Sequence, residues 1–521
     1  MRAAGVVTVA MVSVLAATLS PAPSTASPPR HVPETTATPV SSSVAGIAPS
    51  RRGRPPEATC RSIRPRRWRP AIGHPNDRGT LRVFAIQYKQ AVANVRSYRS
   101  FRTAMRCMME DFVVPHLDPH KPSLVVFPED VGLMTLAIGD RGAAVREQAG
   151  SPLRAPAGDR APLSAASALA ELNAAYTPQV AAYQQRFGPI DPRKQVLVAA
   201  TDTFARAFSR TFSDIARDYG VYVVASNNQA RYRATRDPLE VAAFGDPAAR
   251  RTGVAYVATS PRVTNGTFLW APYPTRPKSP AGERNLLFRN DKVPLTSLET
   301  DLLGLDEGAS TGRAGRRNAR GVVVEGFRLG FATSLPAFTY GYRFGRRPRA
   351  LRPCADTSLT YMACMDRLGV EVVVQAEANP ARWAGPGGYS TWQPLEWMGS
   401  TWRAVADPTV RFDYNVTAHM VGNLLDLAFD GQSAITGRGA RAPRRHYVGN
   451  ARFLPEDERV YRPYAGPKRG FLALAPWVVP EGRRSRLRDV GAALAPGSGE
   501  PRENQYLETA LFADLVPAWR R

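Results

Sequence analysis

Between Thr80 and Leu515 the chain alternates two textures. Short runs of β-branched and apolar residues stop abruptly at polar positions, and between them apolar residues recur at helical spacing. LRVFAIQ (Leu81–Gln87), PSLVVFPED (Pro122–Asp130), VYVVASN (Val221–Asn227) and VEVVVQAEAN (Val370–Asn379) read as buried strands. GVAYVATS and GTFLW read as two more, and VVVEGFRLGFATS (Val322–Ser334) as a strand pair or one bent strand. Residues 93–117 carry a helical pattern. An alanine-rich helical stretch runs from about 131 to 218 and ends in the amphipathic TFARAFSRTFSDIARDYG. ETALFADL (Glu508–Leu515) alternates as a closing strand. Helices interleaved with apolar strands predict a layered α/β sandwich, with no internal repeat.

The flanks differ from this core. Met1-Arg2 precedes the uncharged apolar stretch Ala3–Leu19, then Pro21 and the small residues Ser24-Thr25-Ala26. One basic residue, a short apolar core and an A-x-A-like site predict a signal peptide over 1–26 and a secreted, extracellular protein. The apolar stretch is too short for a stable membrane anchor, and no later segment is suited to span. Residues 27–78, rich in Pro, Ser, Thr and Arg, predict a linker or disordered arm outside the core. The folded domain is then 79–521, with insertions near 131–200 and 437–500.

The 521 residues carry 69 Lys+Arg against 44 Asp+Glu, a net charge of +25, yet only six of the basic residues are lysines. So uniform an arginine excess, scattered apart from the run Arg51–Arg69, reflects coding bias more than a docking surface. Nucleic acid is excluded as a partner, because a nucleic-acid binder concentrates its charge and interleaves aromatics. Four cysteines in an exported chain predict disulfides. Were Cys354 and Cys364 in one helix they would lie roughly 15 Å apart, too far to pair. Cys60 with Cys107 is therefore the expected bridge. The six histidines are dispersed and no metal-ligand spacing occurs, so no metal or other cofactor is expected.

Three strand ends carry candidate chemistry. Glu129 ends LVVFPED, where an open α/β sheet places its ligands. Lys292, in NLLFRNDKVPLTSLE, stands out in a chain that uses arginine for its ordinary surface charge, and Glu299 follows as a carboxylate able to hold it. Cys354 precedes a helical pattern whose dipole would favour a thiolate. Gln375, Glu377, Arg382 and Trp383 either line a pocket or cap the strand they follow.

Together these motifs resemble the nitrilase, or carbon–nitrogen hydrolase, superfamily. The resemblance rests on Glu after "FPE", Lys before "VPL" and Glu299, C-x-D before a helix and "GVEVVVQ", and the late GNLLDLAFDGQSAI (Gly422–Ile435). It covers about residues 79–517 and implies a four-layer α-β-β-α sandwich. It also implies a small-molecule amide or nitrile substrate, and a homodimer is possible. The implied chemistry is hydrolysis by Glu129, Lys292 and Cys354 through a thioester-type intermediate, with Glu299 orienting the lysine. One departure matters. The family's nucleophile directly follows a strand of the form G-x-x-x-C, and from Gly330 that spacing falls on Ser334. Cys354, with its C-x-D signature, is the expected nucleophile. Ser334 is the alternative, which would make a weak hydrolase or an inactive exported binding protein on the same scaffold.

Overall fold

A computed structural model describes residues 53–65, 67–150, 164–383, 393–440, 469–480, 483 and 486–517. The expected signal peptide lies outside the described residues, as do parts of both expected insertions.

Fourteen strands form one hydrogen-bonded system. They are β1 (Ile72–His74), β2 (Leu81–Lys89), β3 (Ser123–Val126), β4 (Tyr222–Thr235), β5 (Ala255–Trp270), β6 (Leu286–Asp291) and β7 (Val322–Val324). They continue as β8 (Phe327–Phe331), β9 (Val372–Glu377), β10 (Tyr414–Leu424), β11 (Leu427–Phe429), β12 (Ala434–Gly437), β13 (Phe471–Leu474) and β14 (Thr509–Leu515). One half runs β6-β5-β4-β3-β2 with β14 on β2. The other runs β7-β8-β9-β10 with β12 and β13. β10 joins them, pairing β9 over Tyr414–His419 and then β2 at Met420 and Val421. Parallel pairing holds at the centre of each half, β2-β3-β4 and β8-β9-β10. This explains why those strands read as continuous apolar runs: both faces are covered.

The faces sort by alternation. Val83, Ala85, Leu124, Val126 and Val224 of one half pack against Leu329, Phe331, Val372, Val374, Val416 and Ala418 of the other, closing the inter-sheet core. The opposite face of the first half carries Phe84, Ile86, Val125 and Val223 under the helices Tyr98–Met108 and Arg210–Tyr219. The opposite face of the second carries Val373 under the helix Tyr361–Arg367. The layer order is α-β-β-α, as the resemblance implied. Among the described residues no helix is long and apolar enough to cross a membrane.

Three expectations need correction. GVAYVATS and GTFLW are not separate strands but the two ends of one strand, β5, which pairs along its length with β4. The domain does not begin at 79. Residues 57–63 form a helix bonded to the core by the Cys60–Cys107 disulfide, Arg64 pairs with the buried Asp111, and β1 extends the sheet along β14. Arg54 and Arg64, inside the expected linker, pair with Glu110 and Asp111 of the helical segment 98–113. Lastly, Cys354 and Cys364 do pair, with Cα atoms 4.9 Å apart. The helix starts only at Tyr361, and Thr360 Oγ1 donates to the carbonyls of Pro353 and Asp356, folding the preceding loop back. The rise per residue of a helix therefore does not apply to the span between the two sulfurs.

Candidate active site

Glu129 follows β3 through Phe127-Pro128, and the Phe127 amide donates to Val224, so the strand's end is fixed against β4. Its carboxylate is buried and accepts three hydrogen bonds. Oε1 accepts from Lys292 Nζ at 2.9 Å and from Asn265 Nδ2 at 2.7 Å, and Oε2 accepts from the Ala378 amide at 3.0 Å. Lys292 leaves β6 with its amide bonded to the Asn265 carbonyl, and its ammonium also meets Glu299 Oε2 at 2.8 Å. Glu299 is held by the Thr296 amide and hydroxyl, both at 2.8 Å, and by Asn265 Nδ2. Glu129, Lys292 and Glu299 thus form one buried cluster. Asn265, missed from sequence, clamps both carboxylates. Its signal was the one amide side chain in the strand sequence AYVATSPRVTNGTFLW.

The charges in this cluster are pushed apart. Burial raises the Glu129 carboxyl above the usual range, with the Lys292 charge opposing it. Burial works the same way on Glu299, but there the lysine and the hydrogen bonds from Lys292, Thr296 and Asn265 prevail and hold it below the usual value. Burial alone would lower the Lys292 ammonium, yet the two carboxylates keep it above its ordinary value. Glu299 is therefore the fixed counter-ion, and Glu129 is the carboxylate with proton affinity to spare. Two of the three ammonium donors are engaged, which leaves one for a ligand oxygen.

Cys354 does not complete this cluster. Its sulfur is bonded to that of Cys364, and none of the four cysteines is free. The expected thiolate at Cys354 is corrected accordingly: a half-cystine has no thiol to deprotonate. Ser334 occupies the other candidate position. Directly after β8 it adopts φ 58° and ψ −120° at the head of the turn Leu335–Phe338. A non-glycine residue in that region costs on the order of 1–3 kcal/mol and persists where its surroundings over-determine it. Here they do. The Ser334 amide donates to Ala376 and its carbonyl accepts from Ala337, while Thr333 Oγ1 and Thr267 Oγ1 lie 2.6 Å apart. Ser334 and Glu129 are thereby tied to the same short segment of chain, Ala376–Ala378. A strained strand-to-turn elbow is a recurrent way to present a nucleophile.

Of the residues with two open readings, Gln375 and Glu377 are fully buried on the outer face of β9, and Gln375 Nε2 donates to Glu377 Oε1. Arg382 instead turns to the Pro496 carbonyl, and Trp383 packs on Trp477 with its amide on Asp430. His419 of β10 lies opposite Glu377 in register. It was not singled out from sequence.

No protein-family profile and no curated protein matches the chain. Among solved structures it is similar to the amidase of Nesterenkonia sp. AN1, a member of the nitrilase superfamily. For a mutant of that enzyme lacking the cysteine the identity is 13%, covering 70% of this chain and 84% of that one, with a TM-score of 0.34. For a mutant with acrylamide added at the active-site cysteine it is 12%, covering 68% and 85%, again with a TM-score of 0.34.

Proposed function

We propose that the chain is an exported carbon–nitrogen hydrolase acting on amides, with Ser334 as nucleophile. The observation that carries this is the joint anchoring of Ser334 and Glu129 on Ala376–Ala378, beside the buried Lys292. In this reading Glu129 accepts the Ser334 Oγ proton as Oγ bonds to the amide carbon. The free ammonium donor of Lys292 meets the oxygen as it gains charge. The C–N bond then breaks, leaving an acyl-serine that water hydrolyses. Export is supported by the apolar stretch Ala3–Leu19 and by two disulfides, which persist in oxidising compartments.

A second reading, an inactive binding protein on this scaffold, is favoured by the serine itself, since a hydroxyl is far harder to deprotonate than a thiol. Acetamide and p-nitrophenyl acetate separate the two. The hydrolase gains one acetyl mass on Ser334 and turns over, and Ser334→Ala abolishes both. Absence of acylation in the wild-type chain would leave the binding protein standing.

A further inference from the structure

Glu377 is unused by the steps above, yet it sits where they would need it. The parallel ladder between β8 and β9 continues past its last strand pair, Phe331 with Val374, through the Ala332 amide on Val374 and the Ser334 amide on Ala376. That register sets Ser334 beside Glu377. Glu377 is fully buried. Oε1 is held by Gln375, itself held by Asn415 Nδ2 at 2.8 Å, while Oε2 has no hydrogen-bond partner among the described residues. The next residue's amide binds Glu129, so two carboxyl groups share one compartment. Lys292 is already divided between Glu129 and Glu299. From β10, His419 faces Glu377 with neither ring nitrogen hydrogen-bonded among the described residues, and burial keeps that ring neutral.

Four carboxyl groups around one ammonium, Glu129, Asp130, Glu299 and Glu377, cannot all stay ionised out of water. Glu299 is pinned by its donors and Glu129 has three. Glu377 has one, and burial followed by the neighbouring Glu129 charge raises it well above the usual range. Burial and the Glu129 charge raise Asp130 in the same way, so more than one proton is held here, and the one on Glu377 rests on Oε2, which no described residue occupies.

We infer that Glu377 is a second catalytic residue, the proton donor to the leaving nitrogen of the amide. This rests on the acyl-transfer reading above. In acylation, Ser334 Oγ bonds to the carbonyl carbon and its proton passes to Glu129. As the C–N bond breaks, the Glu377 proton goes to nitrogen, releasing neutral amine and leaving a carboxylate. In deacylation, that carboxylate takes a proton from the attacking water, whose oxygen bonds to the acyl carbon. The C–O bond to Ser334 then breaks, and Glu129 returns its proton to Oγ. Both carboxyls end as they began, and one water has been consumed. The division of labour suits a serine enzyme: one carboxyl serves the nucleophile and the other serves the leaving group.

The test is Glu377→Gln in the full chain, with acetamide and p-nitrophenyl acetate as probes. Nitrophenolate leaves without a proton, so its release does not need Glu377. The expected result is a loss of about 100-fold on acetamide, with the first nitrophenolate released within about threefold of the wild-type rate. The retained burst also reports a folded site. Equal losses on both probes, or no loss on acetamide, would overturn the inference. The parent reading fails by a different result, wild-type protein that never acylates or Ser334→Ala that keeps its activity.

Discussion

Lys292 is the residue on which the cluster's electrostatics turn. It is 2% exposed and touches two carboxylates that are themselves nearly dry. Removing one partner of such a group is costly because the others stay charged and unpaired. Lys292→Met should therefore lower stability by about 3–5 kcal/mol near neutral pH, beyond the effect of a changed side-chain volume. The pH dependence gives the check. Glu299 has a depressed folded value, so its favourable contribution is present above the unfolded value of about 4.3 and is lost as pH falls through the folded one. The gap in unfolding free energy between wild type and Lys292→Met should thus close as pH is lowered through 4. A constant gap would mean that packing, not charge, set the loss.

At the scale of elements, two loops decide what the cysteines do. In the chain-entropy account the bridge over 47 residues restricts the unfolded chain by about 4 kcal/mol, and that over 10 residues by about 3 kcal/mol. Replacing Cys354 and Cys364 together with alanine should therefore cost at most a few kcal/mol and leave acylation of Ser334 intact. A loss of acylation with the fold preserved would return the nucleophile to that loop. The first bridge belongs to an element that looked like linker. A chain beginning at 79 should be markedly less stable than one beginning at 53, because it loses β1, the disulfide and the Arg64–Asp111 pair; equal melting midpoints would contradict this. The pattern explains what could be read in advance. Glu129 and Lys292 were visible because apolar strands end abruptly at charge, and Glu299 because a carboxylate seven residues on can hold the lysine, both local signals. The disulfide between Cys354 and Cys364 was not, because it depends on where a helix starts, and side-chain bonds of Thr360 set that start. Spacing from Gly330 pointed to Ser334 and the C-x-D signature to Cys354; that Cys354 is paired with Cys364 is a tertiary fact that a one-dimensional pattern does not carry.

For the whole molecule, the buried polar belt at the carboxyl ends of the strands should shape stability against pH in two opposed ways. His419 is fully buried, flanked edge-on by Trp383 and Trp397, and burial lowers its value to about 3. The unfolded chain binds its proton near 6.5, so between those values unfolding takes up a proton and the fold loses stability as pH drops. Glu508 runs the other way. Burial raises it to about 8, with the Lys89 amide and ammonium opposing, so the fold holds a proton that the unfolded chain releases near 4.3. Its share of stability is present below that point and is lost as pH rises toward 8. The formal charge of +25 adds self-repulsion that grows further in acid as carboxylates protonate, so a single stability profile would mix all three effects. Differences between variants separate them. Relative to wild type, His419→Asn should become progressively more stable below pH 6.5 and show a flat difference above it. Glu508→Gln should show the mirror image, gaining as pH rises from about 4.3 to 8 and flat below. Denaturant unfolding of the three proteins between pH 4 and 9 measures both differences. Parallel curves for either variant would show that its side chain keeps the same proton occupancy folded and unfolded, and that the belt is wetter than the packing around it implies.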